Sequence, residues 1–339
     1  MRVLHTVPMY TVALCLAVQA FVTIHAQQPP APDAAAVMAA ARSALGSDKR
    51  IAAVKTIVAT GRTRQIQGDN LVPIEFEIDI ELPDKYARTD EIPARESGPT
   101  TRGFNGADLI QFPEAAPARG AGPAAGPGRD ARAGAPAAAG PATPGNAGGP
   151  PSDPTTALRQ DFVRLTLGMF ATSFSSYPLT FAYGGVAEAP EGKADVIDVK
   201  GPANFSARLF VNSETHLPLM LSWTVPPTLV PVRAGQPPPA NLPPGAITFE
   251  APGPAPGPTA GADERQKFQQ DLAAARAKAL QQAKPAENRI YYADYRDSDG
   301  LKLPFRIRRA VGATTTEETA FDRFRINVKI DPKKFEVRK

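Results

Sequence analysis

The sequence predicts an α+β fold in which a strongly curved antiparallel sheet of about ten strands is covered by two or three helices. Three observations carry this expectation. From residue 74 to 82, Ile74, Phe76, Ile78, Ile80 and Leu82 alternate with Glu75, Glu77, Asp79 and Glu81, the period of two that a half-buried strand requires and a helix would scatter. Strand-length apolar segments recur along the chain and are separated by short turn signals, which argues for antiparallel neighbours. Helix signals are few, and the clearest of them carry a recognisable cap.

A first helix is expected from Asp33 as N-cap, an Ala-rich body carrying Val37, Met38 and Leu45, and Gly46 as its stop. Residues 51–67 read as strand and lead through Gly68-Asp69-Asn70 into the alternating segment. A strand over 85–92 precedes a hairpin at Phe104-Asn105-Gly106-Ala107, where Asn-Gly accepts the left-handed dihedrals of a tight turn. Asp153 followed by Pro154 starts a second helix, whose Leu158, Phe162, Leu165 and Met169 form an apolar stripe. Residues 179–188, 194–200, 205–212 and 217–224 form a meander broken at Glu191-Gly192, at Gly201-Pro202 and over 212–215. A mostly polar helix is expected over 263–283, with a narrow stripe through Phe268, Leu272 and Leu280. The final strands run over 288–297, 302–311 and 316–329.

Residues 113–153 are almost entirely Ala, Pro, Gly and scattered Arg, and residues 225–262 are again rich in Pro and Gly. Neither stretch can bury enough apolar surface to offset chain entropy, so both are expected as loops outside the packed core. Closure entropy grows only with the logarithm of loop length, so such insertions fit inside one domain. About 230 residues remain, a size that suits a single domain. The expected organisation is therefore a signal peptide over 1–26 and one domain over 27–339. The signal rests on Arg2, the apolar run over 9–18 and the cleavage site Ile24-His25-Ala26. Cys15 is not read as a lipoprotein cysteine, because Leu14 stands where a small residue is needed. The expected location is the periplasm.

Cleavage after Ala26 removes the one cysteine and leaves His216 as the only histidine. Disulfides and Cys-based zinc sites are thereby excluded. Of 38 basic and 34 acidic residues, Arg2 leaves with the signal, so 37 against 34 gives a mature charge of +3. Basic and acidic residues are interleaved, and with export this argues against nucleic acid. The basic C-terminus, Lys329, Lys333, Lys334, Arg338 and Lys339, reads as a solvated tail. His216 is the only candidate general base, and its place before Leu217-Pro218 at a strand start favours a structural role. No nucleophile elbow, phosphate loop or His-Glu-x-x-His helix occurs. Asp297, Asp299 and Gly300 imitate a calcium loop, but Gly300 at its sixth place puts Tyr295 first and Arg306 twelfth, where oxygen ligands are needed. An Asp-Gly hairpin explains them. Asn204-Phe205-Ser206 matches the glycosylation sequon by chance. No enzyme, cofactor or metal is expected.

Several local motifs occur in order along the chain: Ala44-Leu45-Gly46, Ile57 to Gly61, Leu82-Pro83-Asp84-Lys85-Tyr86-Ala87-Arg88 and Phe104-Asn105-Gly106-Ala107-Asp108-Leu109. Further along come Ala207-Arg208-Leu209-Phe210-Val211 with Thr215-His216-Leu217-Pro218-Leu219, then Asp299-Gly300-Leu301-Lys302-Leu303-Pro304 and Ile330-Asp331-Pro332-Lys333-Lys334-Phe335. These motifs and the order of elements resemble the outer-membrane lipoprotein-sorting proteins of the LolA-like fold. None of the motifs is catalytic; each is mainly turn chemistry. The resemblance implies an incomplete β-barrel lidded by helices and a non-enzymatic carrier that moves acyl chains of a lipid or lipoprotein towards the outer membrane. The two Pro-rich insertions and the helix over 263–283 depart from the family.

The candidate site is the apolar face itself: Phe76, Ile78 and Ile80 on one strand, Leu209 and Val211 on another, and Leu219, Leu221 and Trp223 on a third. Read from the residues alone, these make either a solid core or the wall of a cavity, and the resemblance implies the cavity. Each buried methylene contributes about 0.8 kcal/mol, so ten acyl carbons supply roughly 8 kcal/mol before association costs. The alternative is an envelope interaction or sensor module, in which the same fold binds a membrane-associated protein partner. Either way the protein is expected to be a monomer.

Overall fold

The computed structural model describes residues 33–67, 70–93, 98–113, 153–189, 192–239, 242–257 and 259–337. The expected signal peptide with Cys15, the turn residues Gly68 and Asp69, most of the first Pro-rich insertion, Glu191, and Arg338 with Lys339 lie outside the described residues.

Helix α1 (Ala34–Leu45) buries Val37, Met38, Ala41 and Leu45 and stops at Gly46, whose φ of 140° only glycine adopts at low cost. A short helix not expected from sequence, α2 (Asp48–Ala52), follows directly, with the Ser47 hydroxyl accepting from the Arg50 N–H at 3.4 Å. Strands β1 (Thr56–Gln67), β2 (Asn70–Glu81), β3 (Lys85–Glu91), β4 (Thr100–Asn105) and β5 (Asp108–Phe112) form an antiparallel meander. Helix α3 (Pro154–Phe170) then leads to a second meander, β6 (Thr180–Ala189), β7 (Gly192–Gly201), β8 (Phe205–Asn212) and β9 (Pro218–Val225). Asp153 caps α3 through its carboxylate, which accepts from the Thr156 N–H at 3.1 Å.

The second Pro-rich stretch is not wholly irregular. It contains β10 (Leu229–Val232) and β11 (Ile247–Glu250), a parallel pair standing apart from the main sheet. The apolar and β-branched islands Leu229-Val230 and Ile247-Thr248-Phe249 carry strand propensity that the surrounding prolines mask. None of these strand residues is fully buried, so the pair adds little to the core. Helix α4 (Ala262–Gln282) packs beside it without burying a single residue fully. Strands β12 (Ala286–Ser298), β13 (Leu301–Val311) and β14 (Thr314–Ile326) complete the sheet, and a short 3-10 turn spans Pro332–Phe335.

The main sheet holds twelve strands in the order β5-β4-β3-β2-β1-β14-β13-β12-β9-β8-β7-β6. Every pairing within it is antiparallel, and its edges, β5 and β6, are not joined, so it is an incomplete curved barrel. The first strand pairs with the last, Ile57 opposite Ile326, in the middle of the sheet. Helix α3 connects one edge strand to the other. It therefore crosses the face between them, touching β4, β5, β9 and β13. The sequence predicts a single apolar stripe on α3, yet residues 162–170 are buried all round, because α1 covers the side that the sheet does not.

One expected solvent-facing carboxylate is covered. The alternation of β2 holds, with Ile74, Phe76, Ile78 and Ile80 all buried, but Asp79 on the opposite face is buried as well. The C-terminal segment folds over it: Phe335 joins Val58, Ala87, Ile110 and Ile330 in a small second core, and Lys334 Nζ reaches Glu77 at 2.6 Å and Asp79 at 3.6 Å. Burial raises the Asp79 carboxyl above its ordinary range, with Lys334 opposing that shift. These basic residues are thus not a loose tail as far as residue 335.

Candidate functional site

The sheet has two faces, and the period of two assigns residues to each. The face under α1 and α3 carries Ile57 and Ala59 of β1, Phe76, Ile78 and Ile80 of β2, Leu303 and Phe305 of β13, Leu221 of β9 and Leu209 and Val211 of β8, all in one core cluster. Five of the eight sequence-selected residues meet there in full burial: Ile78 and Ile80 at 3% and 1% exposure, and Leu209, Val211 and Leu221 at 0%. Phe76 joins them, its ring edge-on to Phe321 at 5.4 Å. Trp223 is half-buried against the same cluster, with the Arg164 guanidinium 4.3 Å from its ring centre. Leu219 departs from the set. It is the extra residue of a bulge, since Met220 pairs with Phe210 while Pro218 pairs with Val211, and the bulge turns Leu219 with Met220 to the other face.

Helix and sheet meet closely along the C-terminal half of α3. A Cβ on Gly168 would stand 2.2 Å from the Tyr292 ring, so only glycine fits this crossing. The Tyr292 hydroxyl donates to the Arg164 carbonyl at 2.6 Å, and the Tyr295 hydroxyl lies 3.0 Å from the Gly168 carbonyl. Phe162 marks the middle of the helix, its ring 5.5 Å from both Tyr86 and Phe104 and 6.4 Å from Phe174.

The N-terminal half of α3 is held differently. Three consecutive polar residues tether it: Arg159 donates to the Gly106 carbonyl in the β4–β5 turn, Gln160 donates to the Ala203 carbonyl in the β7–β8 turn at 3.1 Å, and Asp161 lies 3.8 Å from Arg309 of β13. Beneath them is a chamber of about 110 Å³ bordered by Ile78, Tyr86, Arg88, Asp161, Arg309 and Glu317. Arg88 pairs with Asp90 at 2.7 Å and donates to the Thr63 hydroxyl at 3.1 Å, while Arg309 lies 3.6 Å from Glu317. Burial pulls both guanidiniums down, but Asp90 and Glu317 at Arg88, and Asp161 and Glu317 at Arg309, outweigh it and hold them above their ordinary values. Sequence reading missed this cluster, because its charges are spread over β3, which gives Arg88 and Asp90, and α3, β13 and β14, which give one each.

Burial also pushes the Tyr86 phenol up to about 12 from an ordinary 10. The folded protein thus holds this proton more tightly than the unfolded chain. Its contribution is complete below pH 10 and is lost as pH rises through 12. A rise from 10 to about 12 corresponds to about 2–3 kcal/mol. Urea titrations at pH 9 and pH 11.5 are expected to show this loss, and Tyr86→Phe is expected to shrink it.

The face away from the helices carries an open trough of about 820 Å³. Its lining runs across the sheet in register: Arg64 faces Glu318, Glu318 faces Arg308, Arg308 faces Tyr291, Tyr291 faces Met220 and Met220 faces Phe210. A parallel row sets Arg62 against Ala320, Ala320 against Arg306, and Arg306 against Ala293.

No family model matches the chain, and no curated protein matches it in sequence. Solved structures do resemble it. A LolA superfamily protein from Nitrosomonas europaea aligns over 90% of this chain and 98% of its own, with 10% identity and a TM-score of 0.46. A putative outer membrane lipoprotein-sorting protein domain from Vibrio parahaemolyticus aligns over 83% and 89%, with 6% identity and a TM-score of 0.39. A DUF1329 family protein from Desulfovibrio piger covers 89% of this chain and 97% of its own, at 7% identity and a TM-score of 0.39.

Among the described residues no three His, Cys, Asp or Glu side chains gather as a metal site, and no described helix is long and apolar enough to cross a membrane. His216 sits in the β8–β9 turn with a φ of 58°, its N–H donating to the Asn212 carbonyl at 2.9 Å. Asp299 and Gly300, at φ of 54° and 79°, form the two-residue turn between β12 and β13, as the Asp-Gly reading expects.

Proposed function

We propose that this protein is a non-enzymatic carrier of the periplasm, which takes up acyl chains of a lipid or lipoprotein between the covered face of the sheet and helix α3 and passes them towards the outer membrane. The observation that carries this reading is the division of α3. Its C-terminal half is locked by apolar packing, whereas residues 159–161 are held by polar tethers over a chamber. A chamber of about 110 Å³ is far below the several hundred Å³ of ordinary ligand sites, so uptake requires the N-terminal half of α3 to lift. Lifting exposes Ile78, Leu165 and Phe321, which offer an acyl chain the contacts they lose. Polar tethers suit this role because water satisfies them once they part, while apolar contacts have no such substitute.

Trp223 is the chain's only tryptophan and lies against this same core, which makes it a local reporter. A brominated fatty acid or diacyl lipopeptide is expected to quench its fluorescence, and organic extracts of protein purified from its own envelope are expected to contain acyl lipid by mass spectrometry. Lipid-free protein with an unquenched Trp223 would sink the carrier reading. Capture of a protein partner that survives Leu158→Trp, which fills the chamber from its helix side, would favour the interaction module instead.

A further inference from the structure

We infer a second ligand site in the trough on the opposite face of the sheet, built for an amphiphile with one anionic headgroup and an acyl chain. The two ends of the trough differ in chemistry. Towards β8 and β9 it is lined by Phe210, Leu219 and Met220, with Glu188 of β6 at its border paired to Lys193 at 3.3 Å, and the bulge is what brings Leu219 into this end. Towards β1 and β14 it carries four arginines, Arg62, Arg64, Arg306 and Arg308, against the two carboxylates Glu318 and Asp322. Glu318 stands in register between Arg64 and Arg308 and answers one positive charge; Arg62 lies 3.6 Å from Glu75. Arg306 flanks the small residues Ala293 and Ala320, where the missing side-chain volume leaves the floor low.

Tyr291 joins the two ends. Arg308 stacks over its ring at 4.2 Å, which fixes the guanidinium plane beside the trough and leaves its N–H edge for an acceptor. An acyl chain laid on Phe210, Leu219 and Met220 therefore brings a terminal carboxylate or phosphate to Arg306 and Arg308, and a guanidinium fork grips either one bidentately. The volume of about 820 Å³ lies within the range of small-molecule sites, whereas the chamber under α3 does not. Arg306, Arg308, Tyr291, Phe210, Leu219 and Met220 lie outside the covered core, which reaches the trough only through Tyr292 and Ile307, so this site stands whether or not the α3 face carries lipid.

Oleate is a suitable probe, with glyceryl mono-oleate as its uncharged counterpart, and binding is read by isothermal titration calorimetry on the whole protein. Arg306 and Arg308 are both exposed, so charge reversal at these positions leaves the fold in place. The variant Arg306→Glu/Arg308→Glu is expected to weaken oleate about ten-fold or more, Met220→Asp to do the same, and Lys302→Glu, away from the trough, to change nothing. The uncharged counterpart is expected to bind about ten-fold more weakly than oleate. Bromostearate bound in the trough is expected to leave Trp223 unquenched, since the sheet lies between them.

Unchanged affinity in both trough variants would overturn this site. So would equal binding of the uncharged counterpart, or binding to phosphatidylglycerol vesicles without binding of monomeric oleate. Quenching of Trp223 that persists in the trough variants, together with an oleate affinity that those variants leave unchanged, would support the α3 face alone and reject the trough. Trough binding with an unquenched Trp223 would do the reverse.

Discussion

Replacing Phe162 with alanine is expected to lower stability by about 3–5 kcal/mol, the usual cost of deleting a buried phenylalanine. The ring is 4% exposed and touches aromatic partners from three directions, Tyr86 and Phe104 on the sheet and Phe174 beyond the helix. Deletion removes the transfer energy of the ring and leaves a void that Tyr86 and Phe104 cannot close, because β3 and β4 pair along their length. For a domain of this size the fall in Tm is roughly 10 °C, measurable by circular dichroism. Phe162→Leu, which keeps most of the volume, is expected to recover more than half of the loss. A Phe162→Ala protein as stable as wild type would show that α3 does not pack as described.

Replacing Arg309 with methionine is expected to cost about 3 kcal/mol and to loosen the start of α3. Arg309 serves two carboxylates, Asp161 on the helix and Glu317 on β14, whose side chains are 20% and 17% exposed. Its removal leaves two largely buried negative charges facing each other, which is the expensive way to break an ion cluster. Asp161 keeps Arg164 at 3.0 Å, and Glu317 keeps a hydrogen bond from Thr319 at 3.2 Å, so the cluster is weakened rather than abolished. Adding Asp161→Asn is expected to return part of the stability, and the double-mutant cycle gives the coupling across the helix–sheet boundary. Hydrogen exchange is expected to speed up at residues 157–161 while 165–170 stay protected. If the carrier reading holds, bromolipid quenching of Trp223 is expected to become faster in the same variant. Uniform loss of protection along α3 would argue against a helix in two parts.

Much of the fold was legible because its signals are local. Asp153-Pro154 and Gly46 place helix ends through the chemistry of one or two residues, and the alternation of β2 needs no partner to be read. What stayed hidden depends on partners far away in sequence. Asp79 looks like a surface carboxylate until Lys334 and Phe335 fold over it, 255 residues or more downstream. Leu219 belongs with Leu221 and Trp223 by simple alternation, and only the pairing with β8 reveals the extra residue. The trough is the extreme case. Arg64, Glu318, Arg308, Tyr291, Met220 and Phe210 come from six strands, each looks like an ordinary outward residue, and the register alone assembles them. Its three apolar members already lay on segments read as strands. What was missing was the order β1-β14-β13-β12-β9-β8.

The pairing of β1 with β14 sets the timing of folding. The N-terminal meander is made early, but its inner edge, residues 57–65, finds its partner only at residues 317–326. A chain that emerges N-terminus first must keep that edge unsatisfied until nearly all of it has been delivered, and contacts of such long sequence separation make collapse slow. Meanwhile the edge is open to any other extended chain. Arg62 and Arg64 put charge on just this stretch, so the same side chains that line the finished trough also discourage strangers from pairing with the unfinished sheet.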